Sequence, residues 1–578
     1  MKRKYTLLSL KKRLLALLLV VALIFLTLFC RLFYVQIIDG TNLSARALDQ
    51  WTRDLPITAA RGIIYDTNGI ILAGNRASYS LFVRPKAVEN KQEVAQKISA
   101  LLELNYDNLY DKISNRSISE VTIKKQLSKE TAEIITSYKL AGVYISTDNS
   151  RVYSYNDLLS QVLGYVSIDN IGQTGLEQLY NKYLKGIDGK LLTQADLQGI
   201  EIEGGKCYYI PPIDGLDISL TIDYNIQSFA ENAMENAMRT YNPIAARAIV
   251  MDPNTGAVLA MANKPSLDLN NLPRDDIAML NSYSRNSLVI DIYEPGSTFK
   301  IFTAAANIEE YNKGNKNAFS DSYIFNSSKN RIVDGQKIKC WNDHLKGKHS
   351  NQTLSDALNN SCNPCFVDIA LSLGTNKMYD YIEAFGFGKE TGIDFIGESS
   401  GMVLAKSLVK NCDLARIGFG QTIAVTPLQL LASTCAAING GKYAAPYLVK
   451  DIKDKNGTLA QTFYPQTVRR VISQNTSSTI NTMLEDVVTN GSGKNAYIQG
   501  YKVAGKTGTA QKYANGLVAQ GKYVSSFVGY FPADKPQYAC LIVIDEPIGQ
   551  GYGSVVAAPY AKQIFEQIIS YKNLKPFV

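Results

Sequence analysis

The sequence predicts an α+β protein that is held in a membrane by a single N-terminal helix. Three features support this prediction: an uncharged apolar segment near the N-terminus, strand-like segments at both ends of the second half of the chain, and a long helical region between them. Strands at both ends of a helical region are expected to share one sheet. The length of 578 residues exceeds that of one compact domain, so we expect at least two domains.

The N-terminal segment has the pattern of an uncleaved membrane anchor. Residues 1–13 contain six Lys or Arg and no acid, and the uncharged run Leu14–Cys30 follows directly. At about 1.5 Å per residue this run spans roughly 26 Å, close to the apolar thickness of a bilayer. No small-residue cleavage site precedes Cys30, and Phe29 is too bulky for a lipoprotein site. We expect a cytoplasmic tail over residues 1–13, a transmembrane helix over residues 14–34, and the remaining chain outside the cytoplasm.

The charge distribution argues against a nucleic-acid-binding protein. The formal net charge is +8, and the N-terminal tail supplies six of these charges. The remaining chain is therefore close to neutral and lacks the basic face that a phosphate backbone requires. We expect no nucleic-acid partner.

A change of pattern near residue 240 predicts a domain boundary there. Before it, residues 61–73 predict a β-hairpin that turns at Asn68-Gly69. Residues from about 90 to 140 have a polar, helical pattern, and a strand over residues 216–223 precedes a helix over residues 224–239. We therefore divide the exported chain into residues 35–240 and residues 241–578.

The second part of the chain predicts a sheet that is interrupted by helices. Residues 247–261 have the pattern of a strand, a turn and a second strand. Helical segments are expected from Ser297 to Asn439, where Gly440-Gly441 interrupts the pattern. Strands are expected again over residues 523–530 and 538–544, before a final helix over residues 557–572.

Ser297 and Lys300 are the leading candidates for a catalytic pair. They lie in Tyr293-Glu-Pro-Gly-Ser-Thr-Phe-Lys300, where Pro295 and Gly296 predict a turn and an alanine-rich helix follows. If Ser297 opens this helix, Lys300 lies one turn further along the same face. The helix N-terminus adds unpaired N–H groups and a partial positive charge. A serine nucleophile with a lysine base can be built in this way; the alternative is a capped helix with a solvated lysine.

Two further motifs follow in order. Ser361-Cys-Asn363 comes after a helix-like run, and Lys506-Thr-Gly-Thr509 precedes the pair of strands. Each fragment is common alone, but this ordered set between a hairpin and two strands is rare by chance. The set resembles the penicillin-recognising serine acyl-transferases. It is most similar to the class B penicillin-binding proteins, which are monofunctional peptidoglycan D,D-transpeptidases.

The resemblance covers nearly the whole chain. Besides the anchor and the three motifs, it includes Arg61-Gly-Ile-Ile-Tyr-Asp-Thr-Asn-Gly69, Gly175-Leu-Glu177, Gly418-Phe-Gly-Gln421 and Thr426-Pro427. It implies a penicillin-binding/serine β-lactamase-like transpeptidase domain, a sheet flanked by helices, over residues 241–578. It implies that residues 35–240 form an elongated, non-catalytic pedestal of the dimerisation type. It also implies stem peptides ending in D-Ala-D-Ala as substrates, β-lactams as ligands, a membrane glycan polymerase of the SEDS type as partner, and no cofactor.

Chemistry and the resemblance together assign roles to the first two motifs. Ser297 is expected to attack the carbonyl of the penultimate D-Ala and form an acyl-enzyme. Lys300 is expected to be the base, provided that burial or the nearby cation of Lys506 lowers its pKa. Ser361 is expected to relay a proton to the leaving amine, and Asn363 to hold Lys300 and a substrate amide.

The third motif is expected to bind the substrate. Lys506 and Thr507 suit the terminal carboxylate, and Gly508 permits close approach of the strand to an extended peptide. By resemblance, the backbone N–H of Thr509 forms the oxyanion hole with that of Ser297.

Several alternatives stay open at this point. The segment Gly500-Tyr-Lys-Val-Ala-Gly-Lys-Thr507 matches the phosphate loop of NTPases, although that loop requires a helix directly after the lysine. A non-catalytic β-lactam sensor or a wall-synthesis scaffold would keep the fold, and a β-lactamase would differ mainly in deacylating quickly. Division, elongation and spore-wall synthesis all use enzymes of the proposed type.

The cysteines suggest a redox-sensitive site. Cys362 stands between Ser361 and Asn363, and Cys340 precedes it in the same region. In an oxidising compartment, a disulfide between Cys340 and Cys362 is expected to distort the site; the alternative is two unpaired thiols. Cys362-x-x-Cys365, with His344 and His349 near Cys340, also permits a zinc site, although we expect no metal.

Overall fold

The computed structural model describes residues 7–40, 42–43, 52–115, 117–118, 120–194, 207–327, 330–340, 350–514 and 517–576. Contacts divide the chain into two compact units, and each unit is assembled from separate segments. Unit 1 contains residues 1–59, 77–149 and 187–213, and unit 2 contains residues 60–76, 150–186 and 214–578. The domain boundary near residue 240 stays a prediction.

Helices are numbered here in chain order. They are α1 (Leu7–Phe33), α2 (Lys91–Leu102), α3 (Tyr106–Ser114), α4 (Lys129–Ser137), α5 (Ser160–Leu163), α6 (Gly175–Leu179), α7 (Asn181–Leu184), α8 (Tyr224–Tyr241), α9 (Ile277–Tyr283), α10 (Ser287–Ile290), α11 (Lys300–Asn312), α12 (Leu354–Asn359), α13 (Asn363–Ala384), α14 (Asn411–Ile417), α15 (Pro427–Ile438), α16 (Gln474–Thr489), α17 (Gly553–Val556) and α18 (Ala558–Tyr571).

Strands are numbered in the same way. They are β1 (Thr52–Ile57), β2 (Ile64–Tyr65), β3 (Ile71–Val83), β4 (Val121–Leu127), β5 (Val143–Tyr153), β6 (Gly189–Gln194), β7 (Cys207–Ile210), β8 (Asp217–Leu220), β9 (Ala245–Met251), β10 (Val258–Lys264), β11 (Arg331–Val333), β12 (Gln336–Ile338), β13 (Met402–Val403), β14 (Ile423–Ala424), β15 (Lys442–Ala444), β16 (Val449–Lys453), β17 (Leu459–Thr462), β18 (Thr467–Arg470), β19 (Ala504–Ala514), β20 (Leu517–Phe531) and β21 (Tyr538–Asp545).

The N-terminal helix has the length and composition of a membrane span. The apolar helix Leu10–Ile38 joins most of α1 to a π-helical turn at Tyr34–Ile38 and is long enough to cross a bilayer. Its leucine and phenylalanine side chains are exposed, as side chains that face lipid must be. The predicted span over residues 14–34 lies within this helix.

Unit 1 combines helices with short antiparallel sheets. A buried apolar cluster joins α2, α3 and α4 to β3 and β4, and includes Val83, Ile98, Ile113 and Leu127. A separate three-stranded sheet has the order β1-β6-β7.

The central sheet of unit 2 is antiparallel and has the order β10-β9-β21-β20-β19. Successive residues of β9 point to opposite faces, so Val250 packs in a cluster with α8 and α18, whereas Ile249 packs in the cluster that contains α11, α13 and α15. Helices therefore cover both faces. The sheet joins strands from both ends of this region, which confirms the predicted α+β arrangement.

Most predicted elements are confirmed, two are corrected and one alternative is ruled out. The hairpins at residues 61–73 and 247–261, the helix at residues 224–239 and the final helix all form. Residues 90–140 are not wholly helical, because β4 interrupts them and pairs with β3. The helical middle of unit 2 also contains the hairpin β11–β12. The phosphate-loop alternative is wrong, because Gly500–Thr507 leads into β19 and not into a helix.

A buried ion triad ties the β2–β3 hairpin to later parts of unit 2. Glu177 lies between Arg61 and Arg151, with an N–O distance of 2.6 Å to each guanidinium. Arg61 also donates to the carbonyl of Asn170 at 3.0 Å, and Arg151 donates to the carbonyl of Gly62 at 2.7 Å. Burial lowers the pKa of Arg61, and the charge of Glu177 opposes this effect. Buried charges persist only when they are paired, so the three segments are fixed together.

Removing Glu177 tests this constraint. Glu177→Ala is expected to lower the free energy of unfolding by about 3–5 kcal/mol, because two buried guanidinium groups lose their shared partner. Thermal and urea unfolding of the full-length protein in detergent measure the change. The control is Glu93→Ala, which removes an exposed ion pair with Lys97 and is expected to cost about 0.5 kcal/mol or less. Equal stability of the two variants would contradict the assigned role of the triad.

Candidate active site

Ser297 lies in a tight turn directly before α11. Gly296–Phe299 form a 3-10 turn, and the α-helix continues from Lys300. The predicted helix start is therefore correct, but its first turn is 3-10. The N–H of Gly296 donates to the carbonyl of Gly420 at 2.9 Å, and a Cβ on Gly420 would lie only 2.0 Å from the Gly296 carbonyl oxygen. This close packing requires glycine and fixes the turn that carries Ser297.

The amine of Lys300 is the centre of a polar cluster. Its Nζ lies 3.1 Å from Oγ of Ser297 and donates to Oδ1 of Asn363 at 2.8 Å. It also donates to the carbonyl of Ser361 at 2.7 Å and lies 3.2 Å from Oγ of the same residue. The Lys300 side chain is fully buried, with Nζ 5.4 Å from the ring centre of Phe366. The fold thus brings the first two motifs into direct contact.

Lys506 approaches the same cluster from β19. Its Nζ lies 3.0 Å from Oγ of Ser361, so the hydroxyl of Ser361 stands between two buried lysine amines. Ser361 has a φ of 53°, which is unfavourable for a residue with a side chain. Such strain is held in place by the surrounding contacts, here those with Lys300 and Lys506.

The two threonines of the third motif lie along β19, which is an edge strand of the central sheet. Oγ1 of Thr507 lies 3.3 Å from Oγ of Ser492, and Oγ1 of Thr509 accepts from the N–H of Gly553 at 3.1 Å. An edge strand has unpaired backbone groups, so β19 can pair with an extended peptide.

Gly508 is required by packing within the protein. A Cβ at this position would lie 2.3 Å from Oγ of Ser526 and 3.1 Å from the carbonyl oxygen of Pro295. The absence of a side chain therefore lets β19 approach the turn that carries Ser297.

Burial sets the protonation of the two lysines. It lowers the pKa of Lys300 to about 8, and the neighbouring Cys362 opposes this effect. Burial, followed by the charge of Lys300, lowers the pKa of Lys506 well below its usual range. The two buried amines share one hydroxyl partner, so protonating both would place two positive charges close together at a high cost in free energy. A neutral Lys300, whose lone pair can accept the proton of Ser297, is thus available near neutral pH.

A cleft of about 650 Å³ opens at Ser297 and includes Ser361, Asn363, Thr507 and Thr509 in its lining. Several lining residues were missed by the sequence analysis; they are Lys337, Lys339, Arg416, Ser492, Tyr523 and Tyr552. Only Ser492 had a local signal, because it lies in the turn Gly491-Ser492-Gly493 before β19. The others come from segments that only the fold brings together.

The predicted cysteine pair lies beside the lysine. Cys340 and Cys362 form no disulfide in the structure, but the thiol of Cys362 is hydrogen-bonded with those of Cys340 and Cys365. The hydrogen bond from Cys340 lowers the pKa of Cys362, whereas the bond to Cys365 and burial raise it more. The histidines of the alternative zinc site, His344 and His349, lie outside the described residues. Among the described residues, no group of three or more His, Cys, Asp or Glu has the arrangement of a metal site.

Comparison with known proteins agrees with this geometry. The model of the penicillin binding protein transpeptidase domain matches residues 246–566, and that of the penicillin-binding protein dimerisation domain matches residues 56–220. Stage V sporulation protein D of Bacillus subtilis is 37% identical over 98% of this chain and 87% of its own length. The peptidoglycan D,D-transpeptidase FtsI homolog of Mesostigma viride is 30% identical over 95% of this chain and 94% of its own length. A solved peptidoglycan synthetase from Bifidobacterium adolescentis is 25% identical, with a TM-score of 0.72 over 91% of this chain and 98% of its own.

A helix-covered sheet with a serine and a buried lysine at its edge strand defines the penicillin-recognising class of serine acyl-transfer proteins. Within that class, the chain belongs to the penicillin-binding protein family that carries both a dimerisation and a transpeptidase domain. The resemblance that the motifs indicated is therefore confirmed.

The pKa of Lys300 is directly measurable. Lys300 is expected to titrate near pH 8, because burial disfavours its charged form. The ¹³Cε chemical shift of ¹³C-lysine-labelled protein, assigned with Lys300→Arg, reports the midpoint. Ser361→Ala removes a partner but not the burial, so the midpoint is expected to stay below the usual value of about 10.4. A wild-type midpoint above pH 10 would rule out the neutral amine near neutral pH.

Proposed function

We propose that this protein is a serine-type peptidoglycan D,D-transpeptidase that cross-links stem peptides through an acyl-enzyme on Ser297. The observation that carries the proposal is the 3.1 Å contact between Oγ of Ser297 and the buried amine of Lys300, in a cleft beside an edge strand. The name of the Mesostigma relative supports the reaction, and the family supports acylation of the same serine by β-lactams.

Acyl transfer proceeds in two halves. Oγ of Ser297 attacks the carbonyl of the penultimate D-Ala while neutral Lys300 accepts its proton. Ser361, which stands between the two lysines, passes a proton to the departing amine of the last D-Ala as the C–N bond breaks. The amine of a second stem peptide then attacks the ester, forms the cross-link and returns the proton to Ser297.

Binding groups surround this nucleophile. Thr507, which lines the cleft, and Lys506, which is buried beside it on β19, hold the terminal carboxylate of the donor peptide, and the bound carboxylate favours the protonated form of Lys506. Asn363 fixes Lys300 through Oδ1 and holds a substrate amide, and Gly508 leaves room for the peptide backbone along β19. The N–H groups of Ser297 and Thr509 stabilise the oxyanion.

The cellular setting is proposed from the anchor and the domain order. Residues 1–13 are cytoplasmic, residues 14–34 cross the membrane, residues 35–240 form the pedestal and residues 241–578 the catalytic domain outside the cytoplasm. The basic tail and the two family-model ranges support this arrangement. A SEDS-type glycan polymerase is the proposed partner, and copurification from membranes tests it. The name of the Bacillus subtilis relative supports a role in spore-wall synthesis, and that of the Mesostigma relative leaves division open.

Labelling with a fluorescent penicillin tests the central assignment. The full-length protein is expected to form one covalent adduct, mapped by mass spectrometry to Ser297, and to produce cross-linked dimers from synthetic pentapeptides. Ser297→Ala is expected to lose both activities, whereas Ser478→Ala, at an exposed serine of α16, keeps them. An adduct on another residue, or full labelling of Ser297→Ala, would overturn the assignment. Labelling without any peptide cross-linking would instead favour a β-lactam sensor or scaffold. Rapid loss of the label would favour a β-lactamase.

We also propose that oxidation of Cys340 and Cys362 switches the site off. The contact between the two thiols supports this pairing. Disulfide formation transfers two electrons and two protons from the thiols to an external disulfide such as oxidised glutathione, which leaves as two thiols. Since Cys362 is flanked by Ser361 and Asn363, a new covalent bond at Cys362 displaces two partners of Lys300.

Reversible oxidation is the test of this switch. Treatment with oxidised glutathione is expected to lower penicillin labelling at least about fivefold, and dithiothreitol to restore it. Cys340→Ser is expected to be insensitive, and Cys435→Ala, at a buried cysteine of α15, to respond like the wild type. Peptide mapping that finds both thiols reduced after oxidant, with unchanged labelling, would reject the switch.

A further inference from the structure

The loop over residues 418–422, which joins α14 to β14, packs against the turn that carries Ser297. The N–H of Gly296 in this turn donates to the carbonyl of Gly420 in the loop at 2.9 Å. The carbonyl of the first loop residue accepts from Oγ1 of Thr303 on α11, also at 2.9 Å. These two contacts join the loop to the turn and to the helix that follows it.

A third contact comes from Glu294, a residue that the acyl-transfer steps do not use. Its Oε1 accepts from the N–H of Thr422, the last residue of the loop, at 2.9 Å. Thr422 has a φ of 62°. This conformation is costly for a β-branched residue and persists only where the surrounding contacts hold it. The carboxylate of Glu294 therefore stabilises a strained point of the loop.

The conformation of Thr422 bears on the geometry of the nucleophile. On the other side of the turn, a Cβ on Gly296 would lie 3.3 Å from the carbonyl oxygen of Thr509 on β19. The turn is thus packed between the loop and the strand. If Thr422 relaxed to an ordinary φ, the turn would lose support on one side, and Oγ of Ser297 would shift from its place 3.1 Å from the amine of Lys300. A displacement of about 1 Å at a reacting group is enough to slow a reaction strongly.

We infer that Glu294 is a positioning residue for the acylation of Ser297, and that it acts by holding the strained backbone of Thr422. Glu294 is not among the described residues that line the cleft, so it acts through the loop and not on the substrate. This inference rests on the proposed acylation of Ser297 and adds a supporting residue to that reaction.

Arg416 offers a different explanation for the same carboxylate. Burial raises the pKa of Glu294, and the hydrogen bond from Thr422 and the charge of Arg416 oppose this effect. Glu294 could therefore serve as a hydrogen-bond acceptor for Thr422 or as a counter-charge for Arg416. The two roles make different predictions, because only the first depends on the backbone conformation of Thr422.

Acylation by a fluorescent penicillin measures the effect of removing the carboxylate. Rates at several penicillin concentrations, with the full-length protein in detergent, give the acylation rate constant and the dissociation constant of the preceding complex separately. Glu294→Ala is expected to lower the acylation rate constant at least about tenfold and to change the dissociation constant less than about twofold, because the displaced group is the nucleophile. A general loss of folded protein would lower the labelled fraction without this division between the two constants.

A glycine at position 422 separates the two roles. Glycine adopts a φ near 62° without strain, so Thr422→Gly is expected to make the carboxylate dispensable. Thr422→Gly and the double variant Glu294→Ala/Thr422→Gly are expected to have the same acylation rate constant, within about twofold of the wild type. If Glu294 served as a counter-charge for Arg416, the double variant would be as slow as Glu294→Ala. The comparison of Thr422→Gly with the double variant also decides the matter if Glu294→Ala is too unstable to assay.

Glu398→Ala is the matched control. Glu398 is also a partly buried glutamate whose carboxylate accepts from backbone N–H groups, those of Thr391 at 2.7 Å and of Gly392 at 3.0 Å. Its removal is expected to lower thermal stability and to keep the wild-type acylation rate constant.

The results that overturn the inference differ from those that overturn the proposed function. A wild-type acylation rate constant in Glu294→Ala, or a double variant that is slower than Thr422→Gly, rejects the positioning role while acylation of Ser297 stands. If penicillin does not acylate Ser297 of the wild type, the proposed function fails and the inference fails with it.

Discussion

The buried amine of Lys300 is the interaction on which the rest of the site depends. It contacts Ser297, Ser361 and Asn363 at once, so two segments that are about 60 residues apart in the chain must meet around one nitrogen. Burial also lowers its pKa to about 8, which turns an ordinary lysine into an accessible base. The strained backbone of Ser361 and the approach of Lys506 belong to the same buried cluster, since Ser361 contacts Lys300 and Lys506 contacts the hydroxyl of Ser361.

Close backbone packing makes this arrangement possible. The turn that carries Ser297 lies against Gly420, where a Cβ would lie 2.0 Å from the carbonyl oxygen of Gly296. It also lies beside Gly508 of β19, where a Cβ would lie 3.1 Å from the carbonyl oxygen of Pro295. The nucleophile, the base and the edge strand are consequently packed against one another before any substrate binds. A site whose groups are already in place needs little reorganisation when charge develops on a substrate carbonyl, which is the main way in which such a site lowers a barrier.

Several basic side chains lie in or next to this cleft, and their mutual repulsion destabilises the folded protein before any ligand binds. Burial lowers the pKa of Lys300 and of Lys506, so it disfavours the charged form of both lysines. The guanidinium of Arg416 is stabilised by its hydrogen bond to Gln336 and by the charge of Glu294.

The sequence by itself determined the anchor, the hairpins and terminal strands, the α+β class and the three motifs, because these depend on local pattern and spacing. It also predicted a lowered pKa for Lys300, through burial or through the cation of Lys506, and burial is the main cause in the structure. Strand pairing fixed secondary structure that the local sequence pattern did not predict. Residues 121–127 look helical beside their neighbours, yet they form β4 because they pair with β3. The cleft residues Lys337, Lys339 and Arg416 have no sequence signal, since they meet only through the packing of a hairpin against a helix. The same holds for Ser361, whose hydroxyl lies between two lysines that are distant in the chain, so only the tertiary fold places it there.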